Sequence, residues 1–232
     1  MTRADPETVF VAGATGDTGR ELLRLLGPRV PTVKALTRSS DARSDLRAAG
    51  ADVVVVDDLL NPTTLTEALD DVDVVLSAVG SDVTAAFRDD VFVDGAGTIA
   101  LLHSAVEADV EAFVMLSALG VGTEPASPLA TGFELAIGPV QHAKARAERA
   151  IRESSIRHTV FRPGVLTNGP RTDTVSVAEP GAELWGTVSR ADLARLMVAA
   201  PATDAAADRT FEVVSKPRFP DRSLSIDWRL PE

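Results

Sequence analysis

The 232-residue chain contains no cysteine and no tyrosine, and it has only three histidines and three lysines. Without cysteine there can be no disulfide, no thiolate nucleophile and no thiolate-held metal. His103, His142 and His158 are scattered without ligand spacing, so a structural metal is not expected. No apolar run reaches the roughly 20 residues that a membrane helix needs. The opening "MTRADPETVFVAGATG" lacks the basic region, apolar stretch and small-residue cleavage site of a secretion signal. A cytoplasmic protein with no membrane partner is expected. Thirty-four acidic against 23 basic residues give a formal charge of −11, which repels nucleic acid by bulk electrostatics. The cations are 20 arginines with only Lys34, Lys144 and Lys216, and aspartate outnumbers glutamate 21 to 13. Such a surface suits a high-GC genome or a salty cytoplasm, where screening relieves carboxylate repulsion; the salt-adapted reading is favoured.

With 45% hydrophobic residues the chain can bury a full core, and residues 1–232 are expected to form one domain. Runs rich in β-branched residues, "TVFVAG" (8–13), "TVKALTR" (32–38), "ADVVVVD" (51–57), "VDVVLSAVG" (72–80), "EAFVMLSALG" (111–120), "RHTVFRPG" (157–164) and "RTFEVVS" (209–215), alternate with amphipathic helix-period segments. That alternation predicts an α/β fold, a doubly wound parallel sheet with helices on both faces. Two stretches break the rhythm, 120–137 and 164–186. Both follow strands of the second half, where an open parallel sheet binds ligands, so they are the expected substrate-side loops. The tail 216–232, with Pro217, Pro220 and Pro231, reads as an extended strap. Trp185 and Trp228 read as packing anchors, and the oligomeric state, monomer or homodimer, stays open.

"VFVAGATGDTGRELL" places Gly13, Gly16 and Gly19 between the first strand and a helix. Gly13 permits a tight turn, Gly16 lets backbone N–H groups approach a diphosphate, and Gly19 lets helix and strand pack closely. Thr15, Asp17 and Thr18 complete the phosphate-side candidates. The second strand ends in "ALTRSS", where a cofactor with a free ribose 2′-hydroxyl would meet a carboxylate. Arg38 stands there, and a guanidinium suits a 2′-phosphate, so NADP is expected over NAD, which stays open.

These motifs, with "VVVDDLLNP", "SAVG", "VMLSALG", "HAKARAERAIRESSIRHTVFRPG" and "VSRADLARLMVAA", resemble the atypical, NAD(P)H-binding branch of the short-chain dehydrogenase/reductase superfamily, which includes NmrA-like and biliverdin/flavin reductase-like proteins. The resemblance implies a Rossmann-like fold, Asp58 and Leu59 near the adenine, Ala78, Val79 and Gly80 along the cofactor, and Pro163, Gly164 and Val165 by the nicotinamide. It also implies a catalytic set of serine, tyrosine and lysine, the last two separated by four residues on one helix face. Ser117 and Lys144 match that set, and Val140 occupies the tyrosine position. Valine cannot donate a proton. His142 lies two residues from Lys144, about 200° round the helix, and should point away from the cofactor; Pro139 is expected in the first turn of that helix.

Two functions follow. The first is an NADP-dependent oxidoreductase in which Ser117, Lys144 and positioning carry the rate, acting on an unidentified small-molecule acceptor such as a flavin or quinone that needs no protein-borne acid. The second is a non-catalytic NADP(H)-binding redox sensor or accessory protein. A nucleotide-sugar epimerase or dehydratase fits poorly, because the chain lacks both the tyrosine and a large C-terminal substrate domain.

Overall fold

The computed structural model describes residues 5–81, 92–122, 128–181, 184–215 and 223–230, the side chains of 128–137 excepted. The first half runs β1 (Thr8–Ala12), α1 (Asp17–Leu26), β2 (Thr32–Thr37), α2 (Arg43–Ala48), β3 (Val53–Val56), α3 (Leu65–Leu69) and β4 (Val74–Ser77). The second half runs α4 (Thr98–Glu107), β5 (Ala112–Leu116), α5 (Pro128–Glu153), β6 (Arg157–Pro163), β7 (Val165–Thr167), β8 (Ser176–Ala178), β9 (Thr187–Ser189), α6 (Arg190–Ala199) and β10 (Arg209–Val214). The strands pair in the order β3-β2-β1-β4-β5-β6-β10-β8, parallel throughout except for β8 at the edge, and β7 pairs with β9 separately. The expected α/β, Rossmann-like doubly wound sheet is therefore observed. Its strand order reverses between β1 and β4, which opens a crevice at their carboxyl ends.

Two-residue periodicity explains how both faces are covered. Val9 and Val11 of β1 face one layer with Leu22, Leu23 and Leu26 of α1, Leu46 of α2, and Leu193 and Met197 of α6. Phe10 and Ala12 face the other, with Leu65 and Leu69 of α3, Leu101 of α4, and Ala147 and Ile151 of α5. Each fully buried leucine or phenylalanine contributes about 1.5–3 kcal/mol from area removed from water.

Three sequence expectations need correction. The stretch 164–186 is not one loop; it holds β7 and β8, whose three-residue length is too short for a periodicity signal. The stretch 120–137 is helical from Pro128 onward, while 123–127 lie outside the described residues. Pro139 consequently sits inside α5 rather than in its first turn, where its missing N–H removes one helical hydrogen bond. The helix starts a full eleven residues earlier because Pro128, not Pro139, opens it.

Of the expected C-terminal strap, 216–222 and 231–232 lie outside the described residues. From Ser223 to Leu230 exposure alternates residue by residue, with Leu224, Ile226, Trp228 and Leu230 turned to the α1/α6 layer. Leu224 N–H donates to the Val177 carbonyl at 2.7 Å, and the Trp228 ring lies 5.8 and 5.7 Å from those of Phe161 and Phe211. Trp228 is thus a packing anchor. Among the described residues no helix is long and apolar enough to cross a membrane.

α6 is tied to the segment between β7 and β8 by a buried carboxylate. Asp192 accepts from Thr172 N–H (2.9 Å), Thr172 Oγ1 (2.8 Å), Asp173 N–H (3.0 Å) and Ser189 Oγ (2.8 Å). Burial works against its ionised form, but the Thr172, Ser189 and Asp173 donors outweigh burial and hold its carboxyl below the usual range. A lowered native pKa contributes stability that is complete above the unfolded-state value of about 3.9 and disappears as pH falls through the native value. Asp192→Asn should therefore be less stable than the native protein at neutral pH and lose less on acidification; urea midpoints measured from about pH 7 down to about pH 2.5 would check this. Equal slopes on the acid limb would refute it.

Candidate functional site

The turn from β1 to α1 shows why these glycines stand where they do. Gly13 has φ +74°, a left-handed conformation, and a Cβ there would lie 2.4 Å from the Ala78 carbonyl oxygen. A Cβ on Gly19 would lie 2.2 Å from the Gly13 oxygen. Gly16 differs, since its Cβ would meet only that same oxygen at 3.4 Å and otherwise project into open space. Gly16 is also the N-cap of α1 and has no side-chain cap, so the N–H groups of the first turn and the positive end of the helix dipole are left to a ligand.

Beside this turn lies a cleft at the carboxyl ends of β1 to β4, lined by Gly13, Thr15, Gly16, Leu36, Thr37, Arg38, Asp57, Leu59, Ala78, Val79, Gly80 and Val93. Eight of the expected cofactor residues thus meet around one opening. Leu36, Thr37, Asp57 and Val93 were not foreseen. Asp57 organises the wall: its carboxylate accepts from the N–H groups of Asp58 (2.8 Å), Thr63 (3.0 Å) and Thr64 (2.8 Å). Burial opposes its charge, but these donors prevail and hold its carboxyl low. Exposed Arg38 stands at the end of β2, directly after Thr37, whose carbonyl accepts from Asp57 N–H at 3.0 Å.

The other expected residues lie outside this cleft. Thr18 and Gly19 are buried in the α1 packing, and Asp17 turns to a neighbouring depression, its Oδ2 lying 3.8 Å from Arg190 Nε. Asp58 Oδ1 accepts from Leu60 N–H at 3.0 Å, a local turn contact. Pro163 closes β6, where its carbonyl accepts from Leu119 N–H at 2.9 Å. A Cβ on Gly164 would lie 2.3 Å from the Gly186 oxygen, and Val165 is exposed on β7.

Ser117 and Lys144 are both buried, and each is engaged by a carboxylate that sequence reasoning did not single out. Ser117 Oγ donates to Glu148 Oε1 at 2.5 Å. Glu148 also takes Arg162 Nε at 3.0 Å and Nη2 at 2.6 Å, and Arg152 Nη1 at 3.0 Å. With three guanidinium contacts Glu148 is an acceptor only, so the Ser117 hydrogen points to it. Lys144 Nζ lies 2.8 Å from Asp94 Oδ1, and Asp94 Oδ2 accepts from Ser81 N–H at 2.8 Å and from Ser81 Oγ. Burial would raise the Asp94 pKa, but the Lys144 ammonium and the Ser81 donors reverse it and hold the carboxyl low. Glu148 was legible in principle: it stands four residues after Lys144, on the same helix face.

Val140, at the tyrosine position, packs against Phe92 and Ala143. His142 is exposed on the other side of α5.

A family model described as NAD(P)H-binding matches residues 13–204. An uncharacterized chloroplastic protein of Arabidopsis thaliana is 34% identical, over 93% of this chain and 79% of its own. A Bacillus subtilis protein named as an uncharacterized sugar epimerase is 28% identical, over 88% of this chain and 92% of its own. Among solved structures, a Bacillus halodurans protein named for NAD-dependent epimerase/dehydratase activity superposes with a TM-score of 0.77 at 25% identity, over 90% of this chain and 94% of its own.

Proposed function

Because the chain belongs to the NAD(P)H-binding family, in the atypical branch of the short-chain dehydrogenase/reductases, we propose that it binds NADP(H) in the β1–β4 cleft and acts as an oxidoreductase that works without a tyrosine. The observation that carries this reading is the cleft itself. Gly16 leaves room for a diphosphate against the uncapped start of α1, and Arg38 lines the cleft and is exposed. Leu36, Leu59 and Val79 offer the apolar wall that an adenine needs. When bound, the cofactor supplies the hydride; the chain's own residues bind, orient and exclude water.

No phenol stands beside Lys144, and both polar groups of the expected catalytic set are already engaged by carboxylates, Ser117 through a hydrogen bond and Lys144 through an ion pair. The reading therefore favours an acceptor whose reduction takes its proton from solvent, such as a flavin or quinone. Two of the similar proteins are named for epimerase chemistry. Oxidising and re-reducing an alcohol needs the acid/base that Val140 cannot supply, which argues against that activity here. The same observation supports a second reading, a non-catalytic NADP(H)-binding sensor or accessory protein.

The test is a fluorescence titration with NADPH and NADH, followed by flavins, quinones and enones while nicotinamide absorbance is monitored. NADPH binding with turnover of any acceptor is expected; binding without turnover would select the sensor reading, and binding of neither would reject both. Arg38→Ala should weaken NADPH about 10- to 100-fold, the loss of one charge-assisted contact of about 1.5–3 kcal/mol, with little change for NADH. Equal losses for the two cofactors would remove the 2′-phosphate role.

A further inference from the structure

We propose that Asp94 is a cofactor-positioning residue, holding the Lys144 ammonium beside the cleft so that its remaining N–H bonds meet the hydroxyls of the second ribose. The inference rests on the cofactor reading above and adds to it a residue and a division of labour. Val93 and Gly80 line the cleft, and the residues that follow them, Asp94 and Ser81, are hydrogen-bonded to one another. A Cβ on Gly80 would stand 3.8 Å from Asp94 Oδ1, so this carboxylate lies directly behind the cleft floor. A dinucleotide with its adenine half by Arg38 and its diphosphate by Gly16 must run on toward this carboxylate.

The ammonium is well placed to receive it. Lys144 has three donors, and its ion pair with Asp94 at 2.8 Å occupies no more than one of them. The Asp94 side chain is 1% exposed and that of Lys144 10%, so what little of the pair is accessible belongs to the lysine. Asp94 cannot swing away, because Ser81 holds its other oxygen through both backbone N–H and hydroxyl. It sits in a single π-turn, Val93–Gly97, packed against α5, a distortion that recurs at functional sites. A buried ion pair is weak evidence for stability, since an apolar pair of similar volume does as well. Its location behind the cleft floor gives this one a use. With valine at position 140, the lysine charge is directed to Asp94 rather than to a phenol, and Lys144 is left as a ribose ligand.

The experiment compares a whole dinucleotide with its adenine half. Native protein, Asp94→Asn, Lys144→Met and the double variant would be titrated with NADPH and with 2′,5′-ADP, or with NADH and ADP if NADH binds better. Asp94→Asn and Lys144→Met should each weaken the dinucleotide about tenfold, leave the half-ligand unchanged, and together cost no more than either alone, as coupled residues do. Unchanged dinucleotide affinity in Asp94→Asn would overturn the proposal, and so would parallel loss of both ligands, which marks a merely structural residue. The double variant, which leaves no unpaired buried charge, keeps the comparison valid if Asp94→Asn folds poorly; normal dinucleotide affinity in it would also overturn the proposal. Failure of the native protein to bind either ligand would instead remove the cofactor reading itself.

Discussion

Glu148→Ala is expected to lower the melting temperature by about 10 °C, from a loss of about 3–5 kcal/mol. Glu148 is fully buried and joins three elements: Ser117 at the end of β5, Arg162 in β6 and its own helix α5. Removing the carboxylate leaves the Arg162 guanidinium, 6% exposed, without its bidentate partner at 3.0 and 2.6 Å. An unpaired buried charge, rather than the lost attraction, dominates the penalty. Replacing both partners, as in Glu148→Met with Arg162→Met, should therefore recover much of the loss. Ser117→Ala should cost far less, because it leaves the charge pair intact. Calorimetry on the four proteins decides the matter: if the double variant is no more stable than Glu148→Ala, the buried-charge account is wrong.

Gly19→Ala and Gly16→Ala, three residues apart, should fail in different ways. At Gly19 a new methyl would sit 2.2 Å from the Gly13 oxygen and 2.6 Å from Ala14 Cα, both backbone atoms that cannot turn aside. The helix must move away from β1, at about 1–3 kcal/mol or more, and the glycine turn moves with it. Stability and cofactor affinity should fall together. At Gly16 the methyl meets one oxygen at 3.4 Å and the backbone, φ −74° and ψ 164°, suits any residue. Stability should change by less than about 1 kcal/mol, as for loss of an N-cap preference, while NADPH affinity falls tenfold or more, since the methyl enters the space a diphosphate needs. Urea unfolding alongside NADPH titration separates the two. Intact NADPH binding in Gly16→Ala would place the diphosphate elsewhere.

Seven strands and the doubly wound sheet they build were legible because long β-branched runs alternate with helix-period segments about every twenty residues. Strands β7, β8 and β9, three residues each, were not, for a strand that short carries no period and is defined by the partner that pairs with it. The start of α5 was misplaced for a related reason. Two prolines, Pro128 and Pro139, each look like a first-turn residue, and only packing decides which one opens the helix.

Local chemistry marked Gly13, Gly16 and Arg38 from sequence alone, since a tight turn, a close backbone approach and a guanidinium at a strand end are properties of single residues and their neighbours. The missing tyrosine was equally plain, because an absent residue type needs no fold to be read. What Ser117 and Lys144 touch could not be read in this way. Their partners Glu148 and Asp94 stand 31 and 50 positions away along the chain, and a carboxylate acts as a buried partner or a solvated surface charge according to what packs around it. Sequence by itself determined the sheet, the glycine turn and the absence of the phenol. Only the tertiary structure decided that the serine is bound to one buried carboxylate and the lysine to another, because burial and pairing are made by segments meeting in space.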